Sequence, residues 1–251
     1  MAAGFSLDGY RGLVADLLTR GYRVVGFGDA DPSQRHLILR HDVDMSIQAA
    51  VKMAEVEAAL GVPAHYFVLQ RSEMYNPWAP TNMAGLKRMT ALGHKVGLHF
   101  DASLYGSGYD LEAAAETECA ILESMIGQSV DTISFHRPAP SLQGRAGRFA
   151  GRHHAYEPMF FHDMGYCSDS RGGWHHGEPL AHEAVAEGRG LQLLTHPIWW
   201  VAGDGAGPVS TLDGFRRDRD RVLAAELSRN CEPYRDARGE TPAPLDEMGE
   251  N

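Results

Sequence analysis

Two carboxylates two residues apart are the first groups in this 251-residue sequence that could do chemistry. Asp42 and Asp44 follow the apolar run at 37–39, which is typical of a buried strand. An Asp-x-Asp pair at a strand end can hold a divalent cation with one carboxylate and move a proton with the other. The same stretch could instead begin the next helix, with Asp44 or Ser46 as its N-cap. The pair alone does not decide between a cation site and a helix cap.

Four later apolar segments also end in residues that could bind a metal or move a proton. Carboxylate and imidazole groups suit zinc or a similar ion, and a bound metal lowers the pKa of its water to about 7. A histidine on the opposite wall could protonate a leaving amine, and an arginine could hold a carboxylate ionised. Together these groups supply what metal-assisted hydrolysis needs. They are His99, His136 with Arg137, Asp169, and His196.

Alternating strands and helices must position these groups. Apolar residues at helical spacing separate the strand-like segments, for example over 47–60 and 110–126. Strands separated by helices imply a mainly parallel sheet with right-handed crossovers, and the chain length favours closure into a barrel. The carboxyl ends of parallel strands converge on one face, so we expect the five strand ends to meet there. The predicted strands are 22–27, 37–39, 64–69, 95–100, 131–135, 164–168 and 191–194.

The composition is that of an acidic globular protein. The chain is 43% hydrophobic with a net charge of −10, which argues against binding to nucleic acid or to anionic lipid. No apolar run approaches a membrane span and the start lacks a signal-peptide pattern, so we expect a cytoplasmic protein. The three cysteines have no CxxC spacing and are expected to be reduced thiols. We predict a single domain over 1–231 and a flexible, acidic and proline-rich tail over 232–251.

Five segments of the sequence resemble the polysaccharide deacetylase superfamily, which is NodB-like and related to carbohydrate esterase family 4. The resemblance is greatest to a divergent branch with an RHDVD signature, as in WbmS-like proteins. Each segment is weakly specific, but the five occur in the family's order and cover most of residues 36–200. The segments are 41–44 (HDVD), 93–99 (GHKVGLH), 135–138 (FHRP), 169–174 (DSRGGW) and 194–197 (LTHP).

The resemblance implies a fold, a reaction and a cofactor. The implied fold is a distorted, incomplete (β/α) barrel of about seven parallel strands. The implied enzyme is a metal-dependent deacetylase that removes an N-acyl (acetyl) group from a carbohydrate or a sugar-containing small molecule. Its cofactor would be one divalent metal ion, zinc first, with cobalt, nickel, manganese or iron as alternatives. The expected partner is a small-molecule or oligosaccharide substrate.

The resemblance also implies roles for the residues at the strand ends. Asp42 would be the general base, and His196 the general acid. Asp44 and His99 would bind the metal. Two further residues would tune Asp42 and its neighbours. These are Arg137 and Asp169.

The identity of the third metal ligand stays undecided, because the sequence departs from the family's pattern at one position. The family has a second ligand histidine four residues after the first, and Ser103 stands at that position here. His136 is the first choice for the missing ligand, because it occupies a strand end where the family has an apolar residue. Asp101 is the second choice. A buried neutral His136 that hydrogen-bonds to Asp42 is the competing interpretation.

Aromatic residues near the motifs could bind a sugar, since an aromatic face suits the apolar face of a pyranose. Packing in the core explains such residues equally well. The candidates for substrate binding are Trp199, Trp200, Tyr75 and Trp174. Two other predictions concern histidines: His41 should lie behind the site, and the pair at 153–154 should lie in a surface loop.

Three other functions compete with sugar deacetylation. The first is a metal-dependent amidohydrolase that acts on a non-sugar amide in natural-product tailoring. The second is a metal-free carbohydrate-binding relative that lost its metal with the missing histidine. The third is a glycosyltransferase that binds a nucleotide diphosphate through Asp42-Val43-Asp44. The third leaves three histidines unexplained, and only one helix and one strand precede the motif.

Overall fold

The computed structural model describes residues 4–175, 177–203 and 207–239. The chain divides into two compact units, residues 1–205 and residues 206–251. Every candidate site residue named above belongs to the first unit. Within the described residues, no helix is long and apolar enough to cross a membrane.

A parallel sheet forms the centre of the first unit. Seven strands follow one another in the order β6-β5-β4-β3-β2-β8-β7, and the two-residue β1 pairs with the start of β2. Helices surround the curled sheet, so the predicted incomplete α/β barrel is confirmed. The strands are β1 (Arg23–Val24), β2 (His36–Val43), β3 (His65–Val68), β4 (Lys95–Phe100), β5 (Thr132–Phe135), β6 (His153–His154), β7 (Gly165–Ser168) and β8 (Leu191–Thr195).

Of the eight α-helices in the described part of the chain, five alternate with the strands of this sheet. Their apolar positions supply much of the core that covers it. The short helix α6 directly follows His196, and the last two helices belong to the second unit. The helices are α1 (Leu7–Thr19), α2 (Ile47–Leu60), α3 (Pro80–Ala91), α4 (Leu111–Ile126), α5 (Glu183–Glu187), α6 (Pro197–Trp200), α7 (Pro208–Asn230) and α8 (Glu232–Arg238).

The start of α2 shows which of the two cap candidates, Asp44 or Ser46, begins the helix. Ser46 is the N-cap, and its Oγ accepts a hydrogen bond from the Ala49 N–H at 3.1 Å. Asp44 is therefore not needed as a cap. Its side chain is available to the cleft beyond the end of β2.

Strand β2 lies at the centre of the sheet, between β3 and β8. All eight of its residues are buried, although four of them are polar. Alternation along the strand sends Arg40 and Asp42 to the inner face and His41 to the outer face, toward α2. Strand β2 therefore places buried polar side chains on both faces of the sheet.

The segment at 143–157 departs from the prediction of a surface loop. It contains β6, which pairs in parallel with β5 at the edge of the sheet. His154 is fully buried, so the prediction of a solvent-exposed histidine pair is wrong for this residue. A two-residue strand is too short to produce an alternating pattern that the sequence could reveal.

The end of the chain also contains more structure than predicted. Residues 232–238, placed in a flexible tail by their composition, form α8. The remainder of the predicted tail, residues 240–251, lies outside the described residues. The single domain over 1–231 stays a prediction.

Candidate active site

The ends of five strands carry the candidate residues, as the motif spacing predicted. Asp42 is the penultimate residue of β2, and His99 is the penultimate residue of β4. His136, Asp169 and His196 directly follow β5, β7 and β8. Because the strands are parallel, all five residues lie at the same edge of the sheet.

Curvature of the sheet brings the more distant strands together. Strands β2 and β5 are three steps apart in the sheet, which would separate them by about 14 Å if the sheet were flat. Nevertheless, Ser134 Oγ of β5 donates hydrogen bonds to both carboxylate oxygens of Asp42, at 3.1 and 3.2 Å. The inner face of the curled sheet is therefore narrow enough for short side chains to meet across it.

Three side chains form a triangle of possible metal ligands. Asp44 Oδ1 lies 3.1 Å from His99 Nε2 and 3.4 Å from His136 Nδ1, and the two ring nitrogens are 3.2 Å apart. Ligand atoms arranged tetrahedrally at the usual zinc distances are separated by about 3.3–3.4 Å. The observed separations match that edge length, and the three residues fit a zinc-sized cation.

The hydrogen bonding of these ligands also fits a cation. His99 Nδ1 lies 3.3 Å from the Ser134 carbonyl, to which only an N–H can donate, so Nε2 carries the lone pair in the neutral ring. Asp44 Oδ1 is buried, and no group among the described residues donates a hydrogen bond to it. A carboxylate oxygen and a lone pair thus face each other, and a cation between them would remove their repulsion.

His136 rather than Asp101 completes the triangle. Asp101 instead lies behind His136, with its Oδ2 3.9 Å from His136 Nε2. The other oxygen, Oδ1, accepts hydrogen bonds from the backbone and the hydroxyl of Ser103, at 3.0 and 2.5 Å. Ser103, which stands where the family has its second ligand histidine, therefore holds Asp101 in place. The other oxygen of Asp101 faces His136.

Arg40, which the sequence reasoning did not single out, is the arginine that binds Asp42. Its Nε donates to Asp42 Oδ1 at 3.0 Å, and its Nη2 donates to Oδ2 at 2.8 Å. Arg40 is fully buried and also donates to Ser134, Tyr156 and Gln192. Burial would raise the pKa of Asp42, but the charge and hydrogen bonds of Arg40 outweigh it and hold the pKa below the usual value.

Arg137 does not take the role that the motif implied. It is exposed, and no ion pair to it occurs among the described residues. Its backbone has φ +47, in the left-handed region that non-glycine residues adopt rarely, directly after His136. Arg40 contacts Asp42 because it precedes Asp42 by two residues and shares its face of β2. Arg137 lies beyond the end of β5. Strand alternation was the signal that could have identified Arg40.

Asp169 holds His196 rather than Asp42. Asp169 Oδ1 accepts a hydrogen bond from His196 Nδ1 at 2.6 Å, and both carboxylate oxygens accept from the His196 backbone N–H at 3.0 Å. His196 Nε2 then lies 3.9 Å from Asp44 Oδ2. Burial opposes protonation of His196, but Asp169 above all, and then Asp44 and Asp42, outweigh it and raise its pKa to about 9. At neutral pH the ring therefore carries a proton on Nε2.

The aromatic candidates contribute mainly to the core. Trp200 is 1% exposed, and its indole N–H donates to Asp169 Oδ2 at 2.7 Å. Tyr75 is buried, and its hydroxyl donates to the Val43 carbonyl at 2.6 Å. Trp199 is 7% exposed, whereas Trp174 is half-buried and stacks on Phe5. Trp200 is thus a buried hydrogen-bond donor to Asp169 rather than an exposed surface for a sugar.

Comparisons with known proteins give structural likenesses only. No family model matches the sequence, and no curated protein matches it. Similar solved structures include a family 4 carbohydrate esterase from Bacillus anthracis, at 18% identity over 82% of this chain and 86% of that one, with a TM-score of 0.43. A chitin deacetylase from the fungal pathogen Colletotrichum lindemuthianum is 17% identical over 72% of this chain and 81% of that one, with a TM-score of 0.41.

A third similar structure is a family 4 pseudoenzyme from Bacillus anthracis. It is 13% identical over 75% of this chain and 63% of that one, with a TM-score of 0.40.

Proposed function

We propose that this chain is a metal-dependent hydrolase that removes an N-acetyl group from a carbohydrate or a sugar-containing small molecule. The observation that carries the proposal is the triangle of Asp44, His99 and His136, with Asp42 and His196 beside it. When bound there, a divalent ion such as zinc would polarise the acyl carbonyl and favour ionisation of a water.

The chain's own residues would move the protons. Asp42 would accept a proton from the attacking water as the new carbon–oxygen bond forms. Arg40 and Ser134 would keep Asp42 ionised and fixed in position. His196 would donate its Nε2 proton to the leaving nitrogen as the carbon–nitrogen bond breaks, and Asp169 would orient the ring. The products would be a carboxylic acid and an amine.

The ligand set supports zinc as the first choice of metal. One carboxylate and two imidazoles are typical of catalytic zinc sites, which keep a fourth position for water or substrate. The aromatic side chains give weaker support for a sugar, because Trp200 and Tyr75 are buried.

The proposal is tested by metal analysis and an amine-release assay. Protein purified without chelator should hold about one zinc or similar ion per chain, and should release acetate from an N-acetylglucosamine oligosaccharide. Asp42→Asn and His196→Ala should each abolish hydrolysis while the circular dichroism spectrum and the metal content stay unchanged. Near-normal turnover in either variant would contradict the assigned roles.

The same measurements separate the proposal from its alternatives. A protein that holds no stoichiometric metal, and whose Asp44→Asn variant binds the sugar as well as the wild type does, would be a metal-free binding relative. A metal-loaded protein that hydrolyses acetanilide-type amides but no N-acetyl sugar would be a non-sugar amidohydrolase.

A further inference from the structure

A buried carboxylate on the outer face of the sheet has no part in the mechanism above. Glu57 of α2 is fully buried, and its two oxygens accept three hydrogen bonds. Tyr10 and His41 donate to Oε1 at 2.5 and 2.6 Å, and Tyr66 donates to Oε2 at 2.6 Å. Burial opposes ionisation, but His41 and the two hydroxyls outweigh it and hold the pKa of Glu57 below its usual value. An ionised group thus lies inside a core of otherwise apolar helix positions.

His41 extends these contacts to the strand that ends at His196. A carboxylate only accepts hydrogen bonds, so His41 Nε2 carries a proton toward Glu57. The other ring nitrogen, Nδ1, lies 2.6 Å from Thr195 Oγ1. His41 and Thr195 are register partners of the parallel strands β2 and β8. The hydrogen-bond chain from Glu57 through His41 to Thr195 therefore connects the two strands on their outer face.

Two members of this hydrogen-bond chain are sequence neighbours of residues in the candidate active site. His41 directly precedes Asp42, and Thr195 directly precedes His196. Backbone alternation places His41 on the outer face of β2 and its neighbour Asp42 on the inner face. The hydrogen bond between His41 and Thr195 therefore joins the two strands at the last of their five register pairs, directly before Asp42 and His196. That register sets where His196 lies relative to Asp44.

Neither simple packing nor nucleophilic catalysis explains the chain well. Apolar residues of similar volume stabilise a core at least as well as a buried ion pair, whereas a fully satisfied polar network favours one arrangement over others. Acid, imidazole and hydroxyl here stand in the order of a catalytic triad. All three side chains are fully buried, so no substrate can reach Thr195 Oγ1.

We propose that Glu57, His41 and Thr195 are positioning residues, which hold His196 at its distance from the metal ligand Asp44 by fixing the register of β2 and β8. The proposal rests on the proposed function, because it takes His196 to be the proton donor. Its observable consequence is a loss of turnover without a loss of metal or substrate binding when the chain is broken at Thr195.

Thr195 offers a matched pair of variants. Thr195→Val keeps the shape and removes the hydroxyl, whereas Thr195→Ser keeps the hydroxyl. We expect kcat of Thr195→Val to fall roughly tenfold to a hundredfold, as small displacements of catalytic groups do, and Thr195→Ser to stay within about twofold of the wild type. The KM for the N-acetyl sugar and the zinc affinity should be the same in all three proteins.

Tyr66→Phe separates positioning from stability. This change removes a hydrogen bond to Glu57 but leaves the chain from Glu57 through His41 to Thr195 intact. It should lower the thermal midpoint while kcat stays unchanged. Wild-type kcat in Thr195→Val would overturn the proposal, as would a loss of kcat in Tyr66→Phe as large as that in Thr195→Val.

Failure of the proposed function gives a different pattern. If the wild type hydrolyses no N-acetyl sugar, that function is wrong, and the crystal structures of the wild type and of Thr195→Val decide the positioning role. Displacement of the His196 ring from its wild-type place by more than about 0.5 Å, the tolerance of a catalytic geometry, would support it. An unmoved ring would overturn it.

Discussion

At the scale of single residues, Arg40 and Arg137 have opposite environments although each lies within two residues of a candidate site residue. Arg40 is fully buried and makes a bidentate ion pair with Asp42, whereas Arg137 is exposed. Removing one member of a buried ion pair leaves the other charge unpaired in the core. The consequences for stability should therefore differ widely between the two positions.

We expect Arg40→Met to destabilise the protein by about 3–5 kcal/mol, because it leaves Asp42 buried without its partner. Arg137→Met should change the free energy of unfolding by less than about 0.5 kcal/mol, as exposed substitutions usually do. Urea unfolding measures both values. Equal destabilisation by the two variants would contradict the assignment of Arg40 as the partner of Asp42.

The raised pKa of His196 predicts a pH dependence of stability in the metal-free protein. The folded-state pKa of about 9 lies above the ordinary value of 6.5. Protonation of His196 therefore stabilises the folded state fully below about pH 6.5, and this contribution is lost as the pH rises through about 9. Asp169→Asn removes the strongest partner of the imidazolium, so it should flatten the fall in unfolding free energy over that window. An identical fall in both proteins would show that another group causes it.

At the scale of elements, the start of α2 separates two functions that neighbouring residues could have shared. Ser46 caps the helix, and Asp44 faces the histidines of β4 and β5. Stability and metal binding should consequently depend on different residues of this short stretch.

Ser46→Ala should destabilise the protein by about 1 kcal/mol through loss of the N-cap, and should leave zinc affinity unchanged. Asp44→Asn should abolish tight zinc binding and leave the helix cap intact. Thermal unfolding of the metal-free variants and competition with a chromogenic chelator measure the two effects. Loss of zinc affinity in Ser46→Ala would mean that the cap and the site are coupled.

At the scale of the whole molecule, all the residues assigned to the site or to its positioning precede residue 204. The sheet and its surrounding helices form one compact unit, and α7 and α8 belong to the other. The described part of the first unit contains its own buried core.

A chain that ends at Gly205 should therefore fold cooperatively and bind zinc as tightly as the full-length protein. Circular dichroism with thermal unfolding, and the same chelator competition, test this expectation. An unfolded or metal-free product would show that the first unit depends on the second, in agreement with the predicted single domain over 1–231.

Much of the fold followed from local patterns. The apolar runs located seven of the strands, and helix α2 has the bounds that its apolar spacing predicted. Strand β1 is shorter than the predicted 22–27, because residues 27–29 turn into a short 3-10 helix. Strand β6 was missed, since two residues give no periodicity.

The sequence by itself determined which residues reach the carboxyl edge of the sheet, because strand ends and parallel order follow from alternation and connection length. Only the tertiary structure decided which of them touch. The contacts of Asp42 with Ser134, and of Asp44 with His136, cross strands that are not neighbours and depend on the curvature of the sheet. Curvature arises from packing over the whole unit, so no local pattern could decide between His136 and Asp101 as the third ligand. The pairing of Arg40 with Asp42 lies within one strand, and alternation along β2 could have shown it.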